Sequence, residues 1–302
     1  MKIASIDVGS NTVLLLIAEV ENRKLTPLFN AYHSPRLGKG LVPGKNILDE
    51  KVLQLLSILK EYKSEIEKYN CEKIIITATN AMRIAANNNS IVQKIKDELD
   101  LDVEIIDGQT EAKYSYLGAS STIPNIKEKM VIDIGGGSTE IIHGIDNEIK
   151  FKNSFQTGVV SLTEKFLSNF PYRNCDIKNA KDFLMETFKI LPQKIPFNLP
   201  TVAVAGTPTT LSCINQNLRE YVDEKVEGSF LTNEEIETTF ERVRLVNSDD
   251  MIKAFGSVVK GREDVLFAGI LILRSIMELQ RNNRIIVSGR GLRYGSIMNY
   301  LL

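Results

Sequence analysis

Met130-Val131-Ile132-Asp133-Ile134-Gly135-Gly136-Gly137-Ser138-Thr139-Glu140 is the stretch on which the reading of this 302-residue chain turns. An apolar run bounded by a turn signal predicts a buried strand. The glycines that follow permit positive φ and clear every side chain from the turn. An anion can then lie directly on backbone N–H groups. Asp133, near the strand end, is placed to meet a cation accompanying that anion. The expectation is a phosphate and divalent-metal site. The alternative is a tight hairpin without ligand, because glycine clusters also occur in plain turns.

The same grammar occurs earlier. Ile3 to Asp7 is a short apolar strand, Asp7-Val8-Gly9-Ser10-Asn11-Thr12 a turn, and Val13 to Val20 a second strand. So few residues between two strands predict an antiparallel hairpin. Asp7 and Asp133 head two halves of similar order, which points to an internal duplication. In the first half, 24–30 reads as a third strand and 33–44 as a mobile, glycine-rich basic loop. Val52, Leu55, Leu56, Leu59, Tyr62 and Ile66 mark an amphipathic helix over 49–69. A strand at 73–79, helices at 81–86 and 91–99, a strand at 103–106 and a helix from Gly108 to Gly118 follow. In the second half, strands are expected at 130–133, 139–143, 148–155, 201–205 and 284–287. Helices are expected at 160–170, 176–191, 206–214, 231–243, 263–279 and 292–302. This alternation indicates an α/β fold. The domains are placed at 1–122 and 123–290, with 291–302 a candidate to complete the first.

Composition narrows the partners. Hydrophobic residues make up 43% and charged residues 25%, a globular balance, and the net charge is −1. That charge gives no bulk attraction to nucleic acid or to an anionic membrane. An anionic substrate would need local positive groups and backbone amides. Cys71, Cys175 and Cys213 are far apart and odd in number, which suits reduced thiols. His33 and His143 are isolated and read as structural. No signal peptide is read at the start, and the most apolar helix, 265–277, is too short to span a bilayer. The expected location is cytoplasmic.

Glycine- and hydroxyl-rich loops follow the strands at Asp7, Asp133, Ala205 and Ser288. In open α/β sheets, ligands bind beyond the carboxyl ends of strands. The order and residues of these loops resemble the exopolyphosphatase/guanosine pentaphosphate phosphatase (Ppx/GppA) family, within the actin/Hsp70/sugar-kinase superfold. The matching segments are SIDVGSNT at 5–12, ATNAMR at 78–83, GQTEAKYSYLG at 108–118, VIDIGGGSTEI at 131–141, AGTPTT at 205–210 and SGRGLRYG at 288–295. The resemblance implies two actin-like (ribonuclease H-like) α/β domains related by duplication, with a cleft between them. It also implies a divalent cation, Mg²⁺ with Mn²⁺ as the alternative, and hydrolysis of a terminal phosphoanhydride. The substrates it implies are inorganic polyphosphate, guanosine pentaphosphate, or both.

By this resemblance Glu111 is the catalytic glutamate, a general base toward water; read alone, it is a first-turn acid complementing a helix dipole. Asp133 is the expected metal carboxylate, with Asp7 assisting and Glu140 orienting water or metal. Gly9, Ser10, Asn11 and Thr12 would hold one phosphate, and Gly135, Gly136, Gly137, Ser138 and Thr139 another. Arg83 is expected to bind phosphate oxygens bidentately; Arg290, Arg293 and Lys39 are weaker candidates. Gly206, Thr207 and Thr209 form a candidate loop on the nucleoside side. Thr110 and Lys113 depart from the family pattern of an acid and an arginine around the glutamate. The chain also ends at 302, without the C-terminal helical region of longer relatives, which makes processive digestion of long polyphosphate doubtful. Two rival functions share the superfold: an ATP-dependent sugar or carboxylate kinase, and a non-catalytic guanosine-polyphosphate switch. A homodimer is among the assemblies open to it.

Overall fold

The computed structural model describes residues 1–302 apart from Arg23, Thr122, Pro124 and Asn147. The expected domain boundary rests on the segment holding Thr122 and Pro124, which lie outside the described residues. The chain divides into two compact units, Met1–Gly118 with Leu292–Leu302, and Ala119–Gly291.

The first part of the chain builds β1 (Lys2–Val8), β2 (Val13–Glu21), β3 (Lys24–His33), α1 (Asp49–Lys68), β4 (Lys73–Ala78), α2 (Asn80–Ile84), α3 (Asn88–Leu99), β5 (Glu104–Ile105) and α4 (Gly108–Ser120). The second part builds β6 (Glu128–Ile134), β7 (Thr139–Ile145), β8 (Glu148–Phe155), α5 (Val159–Phe166), α6 (Asn174–Thr187), α7 (Leu191–Lys194), β9 (Thr201–Val204), α8 (Gly206–Asn215) and α9 (Asp223–Val226). It continues with β10 (Phe230–Thr232), α10 (Asn233–Arg244), α11 (Met251–Phe255), α12 (Leu266–Gln280) and β11 (Arg284–Val287). The closing α13 (Leu292–Tyr300) belongs to the first unit.

The first sheet has the order β3-β2-β1-β4-β5. β1, β2 and β3 pair antiparallel, while β4 and β5 run parallel to β1. Side chains alternate across a strand, so β1 serves two cores at once. Ala4, Ile6 and Val8 pack with Leu15 and Ile17 of β2 and with Leu55 and Leu59 of α1. Ile3 packs on the other face with Leu16, Tyr294 and Ile297. A strand buried on both faces reads as a nearly unbroken apolar run, which is how β1 looks in sequence. α13 also docks by close approach, since a methyl at Gly295 would lie 1.7 Å from the Tyr114 carbonyl oxygen of α4. On the same helix, the Ser296 and Ser5 hydroxyls share a 2.8 Å hydrogen bond.

The second sheet has the order β10-β11-β9-β6-β7-β8. Taken from β8, it repeats the first order, with β6, β7 and β8 antiparallel and β9 and β11 parallel to β6. Both units thus carry the actin-like (ribonuclease H-like) arrangement. The added strand is β10, antiparallel to β11. The core centres on α12, which is apolar nearly all round and buried accordingly. Phe267 of that helix stacks on Tyr172 at 4.2 Å between centroids and on Phe240 at 4.9 Å. Burying such a ring stabilises by roughly 1.5–3 kcal/mol.

The helix expected over 176–191 ends at Thr187, the short α9 and α11 were not expected, and one further difference has a clear cause. The helix expected from Leu231 begins at Asn233, because Phe230–Thr232 instead pairs with β11. Thr232 caps the helix: its Oγ1 accepts from Glu235 N at 3.2 Å, and Glu235 Oε2 accepts from Thr232 N at 2.8 Å. The partner strand lies some fifty residues downstream, beyond the reach of local periodicity.

Candidate active site

In the first unit, the three parallel strands end together. Thr79 N donates to Val8 O at 3.1 Å and Ile106 N to Ala78 O at 3.0 Å. Asp7 sits one residue before the end of β1. The turn beyond it closes by Gly9 N donating to Thr12 O at 2.9 Å. Ser10 and Asn11 in that turn are buried. The loop expected to be mobile is strapped to this turn: Gly38 N donates to Ser10 O at 2.7 Å and Arg36 N to Asn11 O at 3.1 Å. Gly38 is required by space, since a methyl there would meet Ser10 Cβ at 2.8 Å.

The loops after β4 and β5 bring Arg83 and Glu111 together. Arg83 Nη1 donates to Glu111 Oε2 at 2.6 Å and to the Ile106 carbonyl at 2.9 Å. Glu111 is only 7% exposed. Its helix is capped by Asp107, whose Oδ1 accepts from Thr110 N at 2.7 Å. A guanidinium at this distance favours the ionised carboxylate. Removing one member of a buried pair typically costs about 3–5 kcal/mol, because the other charge is stranded. Arg83, expected as a phosphate ligand, therefore commits one nitrogen to the glutamate. Its Nη2 is buried and has no hydrogen-bond partner among the described residues. Lys113, one of the departures from the family pattern, donates to Asn299 Oδ1 of α13 at 2.7 Å. The other departure, Thr110, is engaged through its backbone by the Asp107 cap.

In the second unit, Asp133 holds the position that Asp7 holds in the first, one residue before the end of β6. Directly across the ladder from it is Glu140. Asp133 is 8% exposed and Glu140 is fully buried. Ser154 Oγ donates to Glu140 Oε1 at 2.6 Å. The glycine turn closes by Gly135 N donating to Ser138 O at 3.0 Å. Behind it, Val159 N and Val160 N, in the first turn of α5, donate to Gly135 O at 3.0 Å and Gly136 O at 2.8 Å. Thr139 is buried, and its hydroxyl donates to Thr157 O at 2.7 Å. It clasps the turn to the segment before α5.

The loops after β9 and β11 lie at the same end of this sheet. A methyl at Gly291 would stand 3.6 Å from Asp133 Oδ2. Ala205, just before α8, adopts φ 75°, an unusual conformation for a residue with a side chain. Thr207 is buried against Gly269, and Thr209 Oγ1 donates back to Ala205 O at 2.9 Å. Gly206 lies under the guanidinium of Arg262, which a methyl there would strike at 2.1 Å. Arg262 escaped the sequence reading. Its Gly261-Arg262 step was the only signal, and the contact spans more than fifty residues. Glu227 also escaped it; its carboxylate accepts from Ser288 Oγ at 2.7 Å and from Gly289 N at 2.8 Å. Of the weaker basic candidates, Arg293 donates to Leu15 O at 2.8 Å and to Asn30 Oδ1 at 3.0 Å within the first unit.

Among the described residues, no group of three or more His, Cys, Asp or Glu side chains could hold a metal ion. Asp133 and Glu140 offer two carboxylates on one sheet face. That donor set suits Mg²⁺, which takes one or two carboxylates and completes its shell with water and substrate phosphate. Among the described residues, no helix is long and apolar enough to cross a membrane.

The fold and these loops define an actin-like α/β protein with backbone amides, carboxylates and one buried Arg–Glu pair at the strand ends. The Ppx/GppA phosphatase family profile matches residues 16–302, and the chain belongs to that family. It is 33% identical over 312 aligned residues to the bifunctional 3-dehydroquinate synthase/phosphatase of Fusobacterium nucleatum, covering 98% of this chain and 46% of that protein. The chain thus spans about half the length of that relative. Among solved structures, the Ppx/GppA family member of Aquifex aeolicus superposes with a TM-score of 0.85 at 31% identity, covering 100% of this chain and 97% of that one. The exopolyphosphatase of Cytophaga hutchinsonii gives a TM-score of 0.91 at 28% identity, covering 100% and 98%.

Proposed function

We propose that this chain hydrolyses the terminal phosphoanhydride of inorganic polyphosphate, with guanosine pentaphosphate as a second substrate of the same chemistry. The observation that carries the reading is the buried Arg83–Glu111 pair, 2.6 Å apart beyond the ends of the first sheet. A charged pair kept there, rather than apolar packing, is a candidate catalytic arrangement. Family membership and the name borne by the Cytophaga relative support the substrate class.

In this mechanism Glu111 orients a water in line with the scissile bond and accepts its proton. Arg83 holds that carboxylate in place, and its second nitrogen is available to a phosphate oxygen. The amides of the two hairpin turns hold phosphates, Gly9 to Thr12 in one unit and Gly135 to Ser138 in the other. Such preorganised donors hold the substrate in position for in-line attack. In the second unit Asp133 and Glu140 would hold Mg²⁺, which when bound would neutralise phosphate charge; Asp7 is the further candidate carboxylate in the first unit. Cys71, Cys175 and Cys213 are free, which suits a cytoplasmic enzyme. Burial pushes the Cys213 thiol up to about 11, so it stays protonated and inert.

The test is release of orthophosphate with Mg²⁺ from tripolyphosphate, long-chain polyphosphate and guanosine pentaphosphate, by the wild type and by Glu111→Gln. Turnover by the variant is expected to fall by about 10²–10⁴-fold. Equal turnover would remove Glu111 from the mechanism, and no release from any of the substrates by the wild type would overturn the reading.

A further inference from the structure

The glycine turn closes with its own Gly135 N to Ser138 O bond, and its Gly135 and Gly136 carbonyls are held from outside it. Peptide groups are planar and trans, so the N–H of each residue points opposite to the C=O of the residue before it. The Gly135 carbonyl faces Val159 N at 3.0 Å, and the Gly136 carbonyl faces Val160 N at 2.8 Å. The N–H groups of Gly136 and Gly137 must therefore point away from α5. Neither donates to a protein group among the described residues. The same two bonds satisfy first-turn amides of α5, which have no acceptor inside their own helix.

Close approach makes this possible. Gly158 precedes α5 at φ −132° and ψ −174°, extended backbone that any residue adopts. Space is what requires glycine: a methyl would lie 2.5 Å from Gly135 O and from both the carbonyl carbon and oxygen of Gly136. Ser161 and Thr157 complete the seat. Ser161 Oγ accepts from Gly158 N at 2.9 Å, and Thr157 O accepts from Thr139 Oγ1 at 2.7 Å.

From this geometry we infer that Gly158, Val159 and Val160 are positioning residues: they hold two carbonyls of the glycine turn so that the Gly136 and Gly137 amides present themselves to a substrate phosphate. The inference rests on the proposed phosphatase reading and adds how the second turn is made into an anion site. An unbraced glycine run samples many conformations, and ordering it on binding would cost affinity. The brace carries that ordering into the free protein. Because the amides grip a phosphate before and during the reaction, losing their orientation weakens binding more than turnover.

Val159→Pro is the decisive variant. Proline removes the N–H that holds Gly135 O, is well accepted at the first helical position, and suits the extended residue before it. Val159→Ala keeps the N–H and serves as the reference for the lost side chain. For tripolyphosphate, KM of V159P is expected to be about tenfold that of V159A, the loss of one net hydrogen bond, with kcat differing less than about threefold. A KM ratio within twofold, or a fall confined to kcat, would overturn the inference. The wild type gives a second measurement that needs no variant to fold. With glycine-selective ¹⁵N labelling and pyrophosphate added without Mg²⁺, the Gly136 and Gly137 amide resonances are expected to move; unmoved resonances would overturn the inference. This readout does not depend on turnover. An inactive wild type would count against the phosphatase reading and leave the amide shifts to decide the brace.

Discussion

The hairpin turn at Asp7–Thr12 and the one at Asp133–Ser138 are built on one plan and differ in what stands around them. Each follows an aspartate one residue before a strand end. Each closes with a glycine N–H donating to the carbonyl three residues on, at 2.9 and 3.0 Å. Opposite Asp7 the ladder places Leu14, and opposite Asp133 it places Glu140. Behind the first turn stands an irregular loop held by Gly38 and Arg36; behind the second stands the start of a helix. The difference teaches that one turn geometry can stand in two different settings. The first unit joins its turn to a buried Arg–Glu pair, and the second joins its turn to a pair of acids. On the proposed function, that divides water activation from metal and phosphate holding.

This contrast can be broken by experiment. The largest effect is expected at Glu111→Gln, about 10²–10⁴-fold in kcat with KM and the Mg²⁺ requirement much less altered; a raised Mg²⁺ requirement in this variant would erase the division. Next, Asp133→Asn is expected to lower turnover on the order of a hundredfold and to raise the Mg²⁺ concentration for half-maximal rate. Asp7→Asn, opposite an apolar partner, should shift that Mg²⁺ requirement much less. Equal Mg²⁺ titrations of the two variants would show the aspartates to be equivalent.

The glycine seats sharpen the comparison further. A methyl at Gly158 meets three backbone atoms at 2.5 Å, whereas one at Gly38 meets the Ser10 side chain at 2.8 Å. Backbone yields less readily than a side chain, so Gly158→Ala is expected to cost about 2–3 kcal/mol of stability and Gly38→Ala about 1 kcal/mol. Chemical denaturation measures both, and the reverse order would mean that the helix seat is the softer one. The smallest effect is expected away from both turns. Thr232→Ala removes the α10 cap and should cost about 1 kcal/mol in the same assay while KM for tripolyphosphate stays the same.

Much of this was legible in sequence because the signals are local. The short apolar runs of β1 and β6, the Asp-x-Gly turns and the stripe of Leu55, Leu59 and Tyr62 each declare themselves within about ten residues. Membership of the Ppx/GppA family followed from segments spread along the chain. The strand Phe230–Thr232 was misread because its pairing partner, Arg284–Val287, is distant. At 33–44, glycine and charge say nothing about the two backbone bonds to Ser10 and Asn11.

The sequence by itself determined the alternation of strands and helices, the two hairpin turns and the candidate acids, since these follow from periodicity, glycine freedom and residue chemistry. Only the tertiary structure decided what each side chain meets. It put Arg83 on Glu111, laid Arg262 over Gly206, tied Thr139 to Thr157, and set Gly158 beneath the glycine turn. The physical reason is distance along the chain. Hydrogen bonds and close packing act over a few ångströms, and folding brings within that range residues that the sequence holds eighteen to more than fifty positions apart.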